Sequence, residues 1–595
     1  MHFHFPVIII DEDFRSENAS GLGIRALADA IKEEGFEVLG VTSYGDLTSF
    51  AQQQSRASAF ILSIDDEEFS AEEAGETIAE LRSFVKEIRC RNEDIPIFLY
   101  GETRTSRHIP NDVLRELHGF IHMFEDTPEF IGRYVVREAK SYLKGVPPPF
   151  FRALTHYAND GSYSWHCPGH SGGVAFLKSP VGQMFHQFFG ENMLRADVCN
   201  AVEELGQLLD HTGPVAASER NAARIFNADH LYFVTNGTST SNKIVWHSTV
   251  APGDIVVVDR NCHKSILHSI IMTGAIPVFL MPTRNHFGII GPIPKDEFRW
   301  ENIKKKIDAH PFASAVNAQP RVLTITQSTY DGILYNVEEI KEMLDGKIGT
   351  LHFDEAWLPH AAFHDFYGDY HAIGADRPRC KESMVFSTQS THKLLAGLSQ
   401  ASQILVQNSE DRELDRDIFN EAYLMHTSTS PQYAIIASCD VAAAMMEAPA
   451  GTALVEESIA EALDFRRAMR KVDEELGADW WFKVWGPDDL SEEGIEEREA
   501  WMLKPGERWH GFGQLSDGFN MLDPIKATVI TPGLDVDGAF GDVGIPASIV
   551  TKYLAEHGVI VEKCGLYSFF IMFTIGITKG RWNSMVTELQ QFKDD

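Results

Sequence analysis

The feature that most constrains the fold of this chain is a repeated pattern in which a short apolar strand is followed by a polar segment and then by a helix. Between about residues 200 and 420, strands are predicted at Leu231–Thr235, Ile255–Asp259, Val278–Met281, Val322–Thr326, Thr350–Asp354 and Met384–Thr388. A shorter version near the N-terminus has strands at Val7–Ile10, Glu37–Val41, Ala59–Ile64, Ile97–Tyr100 and Gly119–Met123. Strands that alternate with helices predict parallel sheets covered by helices on both faces. The chain is therefore expected to be an α/β protein with two such sheets.

Interruptions of this pattern predict the domain boundaries. Residues 1–130 are expected to form an N-terminal α/β domain, residues 131–200 a linker region containing three consecutive prolines, and residues 201–440 a larger α/β domain. Residues 441–595 are expected to form a smaller α+β domain. Its predicted elements are a helix over Ala442–Leu476 and strands near Ala527–Thr531, Val559–Lys563 and Phe569–Ile575.

The composition narrows the classes of partner. The 52 Lys and Arg residues against 86 Asp and Glu residues give a net charge of −34, which disfavours nucleic acid and favours small cations. The seven cysteines include no C-x-x-C pair, so no disulfide framework is expected. The N-terminus lacks a basic segment followed by an apolar one, and the longest apolar run is too short to span a bilayer. We therefore expect a reduced, cytoplasmic protein with no membrane partner.

The segment Thr235–Lys243 follows the first strand of the larger sheet and opens a helix. Gly237 permits a tight turn, while Thr238 and Ser239 place hydroxyl groups beside the free amides of the helix N-terminus. This arrangement suits a phosphate, because the amides and the helix dipole both attract an anion. An ordinary Ser/Thr N-cap accounts for the same residues, and the segment alone does not decide between the two.

Three further polar residues also come directly after predicted strands. Asp354 lies where an open parallel sheet binds ligands, and it suits either a protonated ring nitrogen or a helix cap. His263 could stack on a flat cofactor or serve only the local structure. Lys393 lies among small hydroxyl residues and a histidine, and a desolvated lysine has the lowered pKa that Schiff-base chemistry needs.

Together, a phosphate cradle, a stacking imidazole, a carboxylate for a pyridinium nitrogen and a Schiff-base lysine are the groups that pyridoxal 5′-phosphate (PLP) requires. They occur in the chain in that order, each after a strand, so the sequence predicts a PLP site. No metal site is predicted, because His166, Cys167 and His170 are not matched by a second cluster of ligands.

Eight segments resemble the bacterial lysine, arginine and ornithine decarboxylases, which are PLP enzymes of fold type I. They are Ser164–Gly173, Leu209–Gly213, Thr235–Thr240, Asp259–Ser265, Ser328–Gly332, His352–Asp354, Ser390–Lys393 and Thr429–Pro431. The resemblance extends over nearly the whole chain and is greatest to the lysine branch, for instance across Gly544–Val550. It implies a flavodoxin- or receiver-like wing domain at the N-terminus. A large PLP-binding domain with a mixed, mostly parallel sheet and a small α+β domain would follow.

The resemblance also implies roles for individual residues. Lys393 would carry PLP as a Schiff base, Asp354 would pair with the pyridine nitrogen, and His263 would stack on the ring. The expected phosphate contacts are Thr238, Ser239, Ser390 and His392, together with Ser428, which would reach across a dimer interface. Trp357 would line the pocket, Glu562 would contact the far cationic end of the substrate, and either Lys393 or His392 would return a proton to the α-carbon.

The reaction implied is decarboxylation of a basic amino acid, with lysine to cadaverine as the first choice. Arginine to agmatine and ornithine to putrescine remain open, as does a non-catalytic binding or signalling protein built on the same scaffold. Because each turnover consumes a proton and makes an amine, acid resistance or polyamine supply is the hypothesised role. A homodimer is expected, and relatives also form larger assemblies such as decamers.

Two features depart from the family pattern. The family usually has a further C-terminal domain, and this sequence ends roughly where that domain would begin. The wing domain carries the acidic residues of a receiver, Asp11, Glu12 and Asp65, but lacks the basic residue that receivers have at the last strand. We therefore expect the receiver fold without phosphotransfer.

Overall fold

The chain is described by a computed structural model over residues 3–43, 55–64, 73–102, 109–122, 125–316, 318–487, 490–491, 497–513 and 515–595. Asp65 lies outside these residues. Two compact units are present, one made of Met1–Pro148 with Ala448–Ala453 and the other of Pro149–Glu447 with Leu454–Asp595. The region 131–200 is divided between them, because the last helix of the first unit continues to Gly145 and a helix of the second begins at Pro149.

The first unit is built on a five-stranded parallel sheet with the order β2–β1–β3–β4–β5, the flavodoxin-like order. Its elements are β1 (Val7–Ile10), α1 (Ala19–Glu33), β2 (Val38–Val41), β3 (Ala59–Ile64), α2 (Glu73–Arg89), β4 (Ile97–Gly101), α3 (Asn111–Glu116), β5 (Gly119–His122) and α4 (Pro128–Gly145). Alternate residues of β1 point to opposite faces, so Val7 and Ile9 pack against α1 and α4, while Ile8 and Ile10 pack on the α2 side.

The second unit begins with helices α5 (Pro149–Asn159), α6 (Pro180–Phe189), α7 (Glu191–Ala196) and α8 (Gly213–Ile225). The elements up to the end of its large sheet are β6 (His230–Val234), α9 (Thr238–Thr249), β7 (Ile255–Asp259), α10 (Lys264–Thr273), β8 (Ile276–Leu280), α11 (Trp300–Ala309), β9 (Val322–Thr326), β10 (Ile333–Tyr335), α12 (Val337–Leu344), β11 (Thr350–Asp354), β12 (Met384–Gln389), α13 (Thr391–Leu394) and β13 (Ser402–Gln407).

Seven of these strands form a sheet with the order β6–β13–β12–β11–β9–β7–β8. Strand β13 is antiparallel to both of its neighbours, and the other pairs are parallel. The predicted mixed, mostly parallel sheet is confirmed. The antiparallel strand over Ser402–Gln407 was not predicted.

The chain continues through α14 (Arg416–His426), α15 (Tyr433–Met445), α16 (Ala450–Leu476), β14 (Lys483–Trp485), β15 (Asn520–Leu522), β16 (Lys526–Ile530), α17 (Ala547–Glu556), β17 (Lys563–Cys564), β18 (Ser568–Met572) and α18 (Asn583–Asp594). Strands β14, β16, β18 and β17 form an antiparallel sheet in that order, and β10 pairs with β15. The small α+β region predicted near the end of the sequence is therefore present, and its core is continuous with that of the large sheet.

Two predicted elements were wrong in detail. The helix over Ala442–Leu476 is two helices, because Pro449 cannot donate a helical hydrogen bond and crowds the preceding turn. The strand over Val559–Lys563 is reduced to β17, because Val559 takes part in the turn that caps the C-terminus of α17. Its amide donates to Leu554 O at 2.8 Å, just after Gly558 adopts a φ of 83°, which is a glycine C-cap.

Among the described residues, no single helix is both long and apolar enough to cross a membrane. The helices over Tyr433–Met445 and Ala450–Asp479, bent by 88° from each other, satisfy the length and composition only when they are taken as a pair.

Candidate active site

The carboxyl ends of the parallel strands in the second unit open onto a cavity of about 560 Å³. Segments that follow β6, β7, β9, β11 and β12 line it, and Glu562, just before β17, adds a residue from the small sheet. A cavity at this edge is expected, because the loops after parallel strands diverge there. The cavity brings together the predicted residues Thr238, Ser239, His263, Asp354, Trp357, Ser390, His392, Lys393 and Glu562.

Ser428 is the predicted site residue that the cavity does not include. It lies in the exposed segment after α14, where its hydroxyl accepts a hydrogen bond from the Ser430 amide at 3.1 Å. Its expected role across a dimer interface stays a prediction.

The N-terminus of α9 faces the cavity with free hydrogen-bond donors. Gly237 is the N-cap, with a φ of 74° that favours glycine, and no side chain caps the helix. Thr238 Oγ1 lies 2.6 Å from Ser390 Oγ and 2.9 Å from Ser402 Oγ, so two strand ends and the helix meet at one cluster of hydroxyl groups. Ser239 is exposed to the cavity. Uncapped amides and hydroxyls at a helix N-terminus suit an anion such as phosphate.

Asp354 ends β11 as a buried carboxylate, with 4% of its surface exposed. Its Oδ1 accepts a hydrogen bond from the Ala356 amide at 3.1 Å, and its Oδ2 accepts one from Asn242 Nδ2 at 2.9 Å. These neutral donors hold the carboxylate while leaving it able to accept a further proton donor from the cavity.

His263 is the N-cap of α10 and its tautomer follows from its contacts. Its Nδ1 accepts from the Ser265 amide at 3.2 Å and lies 2.8 Å from Ser265 Oγ, so the neutral ring carries its proton on Nε2. Burial lowers the pKa of His263, which keeps the ring uncharged and suited to stacking on a flat cofactor.

Lys393 lies in the short helix after β12, with its Nζ 4.2 Å from the centre of the Trp357 ring. Burial lowers the pKa of the Lys393 amine to about 8, although the nearby Asp354 acts in the opposite direction. The neutral amine, which nucleophilic attack on an aldehyde requires, is therefore more populated near neutral pH than in an ordinary lysine.

Trp357 is itself held from behind by a buried ion pair. Its carbonyl oxygen accepts from Lys526 Nζ at 2.7 Å, and Lys526 lies 3.2 Å from Asp523. Lys526 also contacts the hydroxyl group of Ser328, which belongs to one of the segments noted in the sequence. These contacts tie the wall of the cavity to the small sheet.

His392 makes a contact that limits its role. Its Nδ1 donates to the Ala401 carbonyl oxygen at 2.7 Å, so Nε2 is an acceptor in the neutral ring. Burial lowers the pKa of His392, and a contact with a phosphate oxygen therefore requires the anion itself to favour protonation of Nε2.

Four buried residues that form hydrogen bonds behind Asp354 were not predicted as site residues from the sequence. They are Asn242, Ser265, His352 and Thr388. Strand periodicity and register could have pointed to two of them. His352 precedes Asp354 by two residues on the same face of β11, and Thr388 pairs directly with Asp354 across β11 and β12. Finding Asn242 needed the three-dimensional position of α9.

The large sheet has one antiparallel strand and carries a lysine, a carboxylate and an imidazole at its strand ends, an arrangement consistent with PLP enzymes of fold type I. Two family models assign the chain within that class. The Orn/Lys/Arg decarboxylase N-terminal domain matches residues 19–142, and the Orn/Lys/Arg decarboxylase major domain matches residues 148–581. The chain belongs to the Orn/Lys/Arg decarboxylase family and is an amino-acid decarboxylase.

Individual relatives agree with this assignment. Lysine decarboxylase LdcA of Pseudomonas aeruginosa is 50% identical over 598 residues, which cover 99% of this chain and 78% of the relative. The biodegradative arginine decarboxylase of Escherichia coli is 36% identical, covering 99% of this chain and 80% of the relative. The solved structure of lysine decarboxylase A from Pseudomonas aeruginosa superposes with a TM-score of 0.91 at 48% identity, covering 100% of this chain and 79% of that structure.

Proposed function

We propose that the chain binds PLP in this cavity through Lys393 and decarboxylates L-lysine to cadaverine and CO2. The observation that carries the proposal is the convergence of Lys393, Asp354 and His263 in one cavity with the uncapped N-terminus of α9. These groups come from four separate strand ends, and each matches a different part of PLP.

The residues present fit PLP in chemistry as well as in position. The free amides and hydroxyls at the start of α9 suit the phosphate, and the acceptor-only carboxylate of Asp354 suits a protonated ring nitrogen. The neutral ring of His263 offers a stacking surface, and Lys393 offers an amine for the aldehyde.

When bound, PLP supplies an electron sink that accepts the electron pair left behind as the carboxylate departs as CO2. Asp354 contributes by holding the proton on the ring nitrogen, which keeps that sink effective. Trp357 covers the Lys393 amine and helps to exclude water from it. Either the protonated amine of Lys393 or His392 protonated on Nε2 would deliver the proton that replaces CO2 on the α-carbon.

The preference for lysine rests on two kinds of support. Glu562 lines the same cavity from the small sheet, so a carboxylate is available to the far cationic end of a basic substrate. The relative at 50% identity bears the name lysine decarboxylase, whereas the arginine decarboxylase is 36% identical. Arginine and ornithine are the alternative substrates.

We also propose that the enzyme works as a homodimer in which Ser428 of one subunit contacts the phosphate in the other. The support is that Ser428 is exposed and does not line the cavity of its own subunit, and that the segment around it resembles the corresponding segment of the decarboxylase family. Large aromatic residues between α5 and α7 are also exposed, including Trp165 at 97%, and apolar surface of this kind is typical of interfaces.

The experiment is a parallel assay of CO2 release from lysine, arginine and ornithine by purified protein loaded with PLP. The proposal predicts lysine as the substrate with the highest kcat/KM. Faster release from arginine or ornithine would correct the substrate, and release from none of the three would overturn the proposal.

A further inference from the structure

Asp354 is the outer end of a hydrogen-bonded chain that runs through the buried interior of the second unit. Asn242 Nδ2 donates to Asp354 Oδ2 at 2.9 Å and to Ser265 Oγ at 3.0 Å, so both amide hydrogens are used. On its other side, Asn242 Oδ1 accepts from Thr388 Oγ1 at 2.7 Å. Each of these side chains has at most 4% of its surface exposed, so water does not compete for their hydrogen bonds.

The direction of every bond in this chain follows from Asp354. An ionised carboxylate only accepts, so the amide nitrogen of Asn242 faces it and the amide oxygen faces Thr388. Thr388 donates its one hydroxyl hydrogen to that oxygen. Its Oγ1 can then only accept a hydrogen bond from His352 Nε2, which lies 3.0 Å away. His352 is therefore the tautomer that carries its proton on Nε2.

The inner end of the chain is consistent with this tautomer. His352 Nδ1 lies 3.2 Å from Thr324 Oγ1, and Thr324 Oγ1 accepts from Trp246 Nε1 at 3.1 Å. Trp246 can only donate, so the bonds run in one direction from the indole to the carboxylate. Burial lowers the pKa of His352 to about 4, which keeps the ring neutral at physiological pH.

A side branch reaches the stacking histidine. Ser265 Oγ accepts from Asn242 and lies 2.8 Å from His263 Nδ1, to which it donates. The amide group of Asn242 thus orients both Asp354, which would pair with the PLP ring nitrogen, and His263, which would stack on the PLP ring.

We propose that Asn242 is a positioning residue for cofactor binding and decarboxylation, and that Thr388 and His352 fix the orientation of its amide. The proposal rests on the proposed PLP function. Through this chain, Asp354 is kept as an oriented acceptor, which strengthens its pairing with a protonated ring nitrogen. Weakening the chain should therefore lower both the affinity for PLP and the pH above which the ring nitrogen loses its proton.

Other titratable groups also interact electrostatically with Asp354, and their contributions must be separated from that of the hydrogen-bonded chain when kcat is measured against pH. They are Asp259 at the end of β7, Cys262 and His263 in the segment after β7, His352 on β11, and Lys393 after β12. Glu562 faces the same cavity from the small sheet. Of these groups, only His352 contacts the Thr388 hydroxyl group, and it belongs to the chain itself, so a change in the profile on substitution of Thr388 reports on the chain of hydrogen bonds.

The test compares Thr388→Val, which removes the hydroxyl group at constant shape, with Thr388→Ser, which retains it. Thr273→Val is the matched control, because Thr273 is equally buried and its hydroxyl group bonds only to backbone carbonyl oxygens of its own helix. PLP affinity is measured on the apoprotein by fluorescence titration. The alkaline limb of kcat against pH is measured on the PLP-loaded enzyme.

Thr388→Val should weaken PLP binding roughly tenfold and move the alkaline limb to lower pH, because a buried donor and a buried acceptor lose their partners. Thr388→Ser should restore both values. Should Thr388→Val fail to fold, His352→Gln against His352→Phe repeats the test, since glutamine can still donate to Thr388.

The inference is overturned if Thr388→Val gives the same affinity and pH profile as Thr273→Val, or, in the second test, if His352→Phe matches His352→Gln. It is also overturned if only the melting temperature falls. Failure of the proposed function looks different, because the unmodified protein would then bind no PLP or release no CO2.

Discussion

Each unit of this protein has a sheet with a buried aspartate at the carboxyl end of a strand, and we propose a cofactor site at only one of these two aspartates. Asp11 directly follows β1 of the first unit, and its Oδ1 accepts a hydrogen bond from the Asp13 amide at 2.8 Å. Burial raises the pKa of Asp11, so its charged form is disfavoured. Asp354 instead receives two N–H donors and shares a cavity with Lys393.

The difference shows what converts a strand end into an active site. In the second unit, five strand ends and a residue of the small sheet contribute polar side chains to one cavity. In the first unit, a cavity of about 600 Å³ is lined instead by residues from α2 to α3, where Arg82 pairs with Asp112 and Arg89 with Glu116. A carboxylate at a strand end is thus insufficient without converging partners.

The largest effect is expected from Lys393→Ala. We expect kcat to fall by a factor of roughly 10³ or more, because the covalent attachment of the cofactor and an acid–base group are lost together. The measurement is CO2 release at saturating lysine and PLP. Lys347→Ala, on an exposed lysine of the same unit, is the control and should retain full activity. If Lys393→Ala retained its activity, the cavity beside Asp354 would not be the active site, and the two strand ends would no longer differ in function.

The two aspartates can be tested directly against each other. Asp354→Asn should lower kcat by about 10²–10³-fold, because the charge that holds the proton on the ring nitrogen is lost. Asp11→Asn should leave kcat and PLP affinity unchanged. The comparison would fail if the two substitutions had similar effects on steady-state kinetics.

Ser428→Ala tests whether the cavity is completed by a second copy of the chain. Loss of one hydrogen bond to a charged phosphate should weaken PLP binding about tenfold. Ser548→Ala, on an exposed serine of α17, is the control. Equal PLP affinities in the two variants, measured by fluorescence titration, would show that Ser428 contributes nothing to the phosphate site.

His263→Phe and His263→Ala separate stacking from other roles of this residue. Stacking contributes about 1 kcal/mol, so His263→Ala should weaken PLP binding about fivefold, while His263→Phe should lose less because a flat ring is retained. Equal losses in the two variants would show that hydrogen bonding to Ser265 matters more than the ring face, because both variants lack the Nδ1 acceptor.

The smallest effect concerns the stability of the first unit. The raised pKa of Asp11 means that its stabilising contribution is present at low pH and is lost as the pH rises through the folded-state value. Asp11→Asn should therefore raise the melting temperature of the full protein more at pH 8 than at pH 4. A gain that is the same at both pH values would indicate that Asp11 is not destabilised by its charge.

The parts of this account that could be predicted from the sequence are those set by local pattern. Strand–polar–helix repeats predicted the parallel strands of both sheets, and position at or just after a strand end predicted Asp354, His263 and Lys393 as site residues. Strand β13 was missed because Gln403 and Ser402 give it a polar start. Those side chains are buried with hydrogen-bond partners, since Gln403 bonds to the Gln389 side chain and Ser402 donates to the Gln389 carbonyl oxygen.

The residues behind Asp354 were not predicted, because their roles depend on strand register and, for Asn242, on helix placement. In the sequence, Thr388 and His352 are indistinguishable from ordinary strand residues. Only the register of β11 with its neighbouring strands places them beside each other and near Asp354. In the sequence, Asn242 is an ordinary polar helix residue. Only the packing of α9 over the sheet places its amide between Asp354 and Thr388.

The central claim is that the cavity of the second unit binds PLP covalently at Lys393. The most direct measurement is borohydride reduction of the PLP-loaded protein, followed by digestion and mass mapping of the modified lysine. We expect one equivalent of pyridoxyl phosphate on Lys393 and its loss after prior addition of a competing carbonyl reagent. Modification of a different lysine, or of none, would show that Lys393 does not bind PLP covalently.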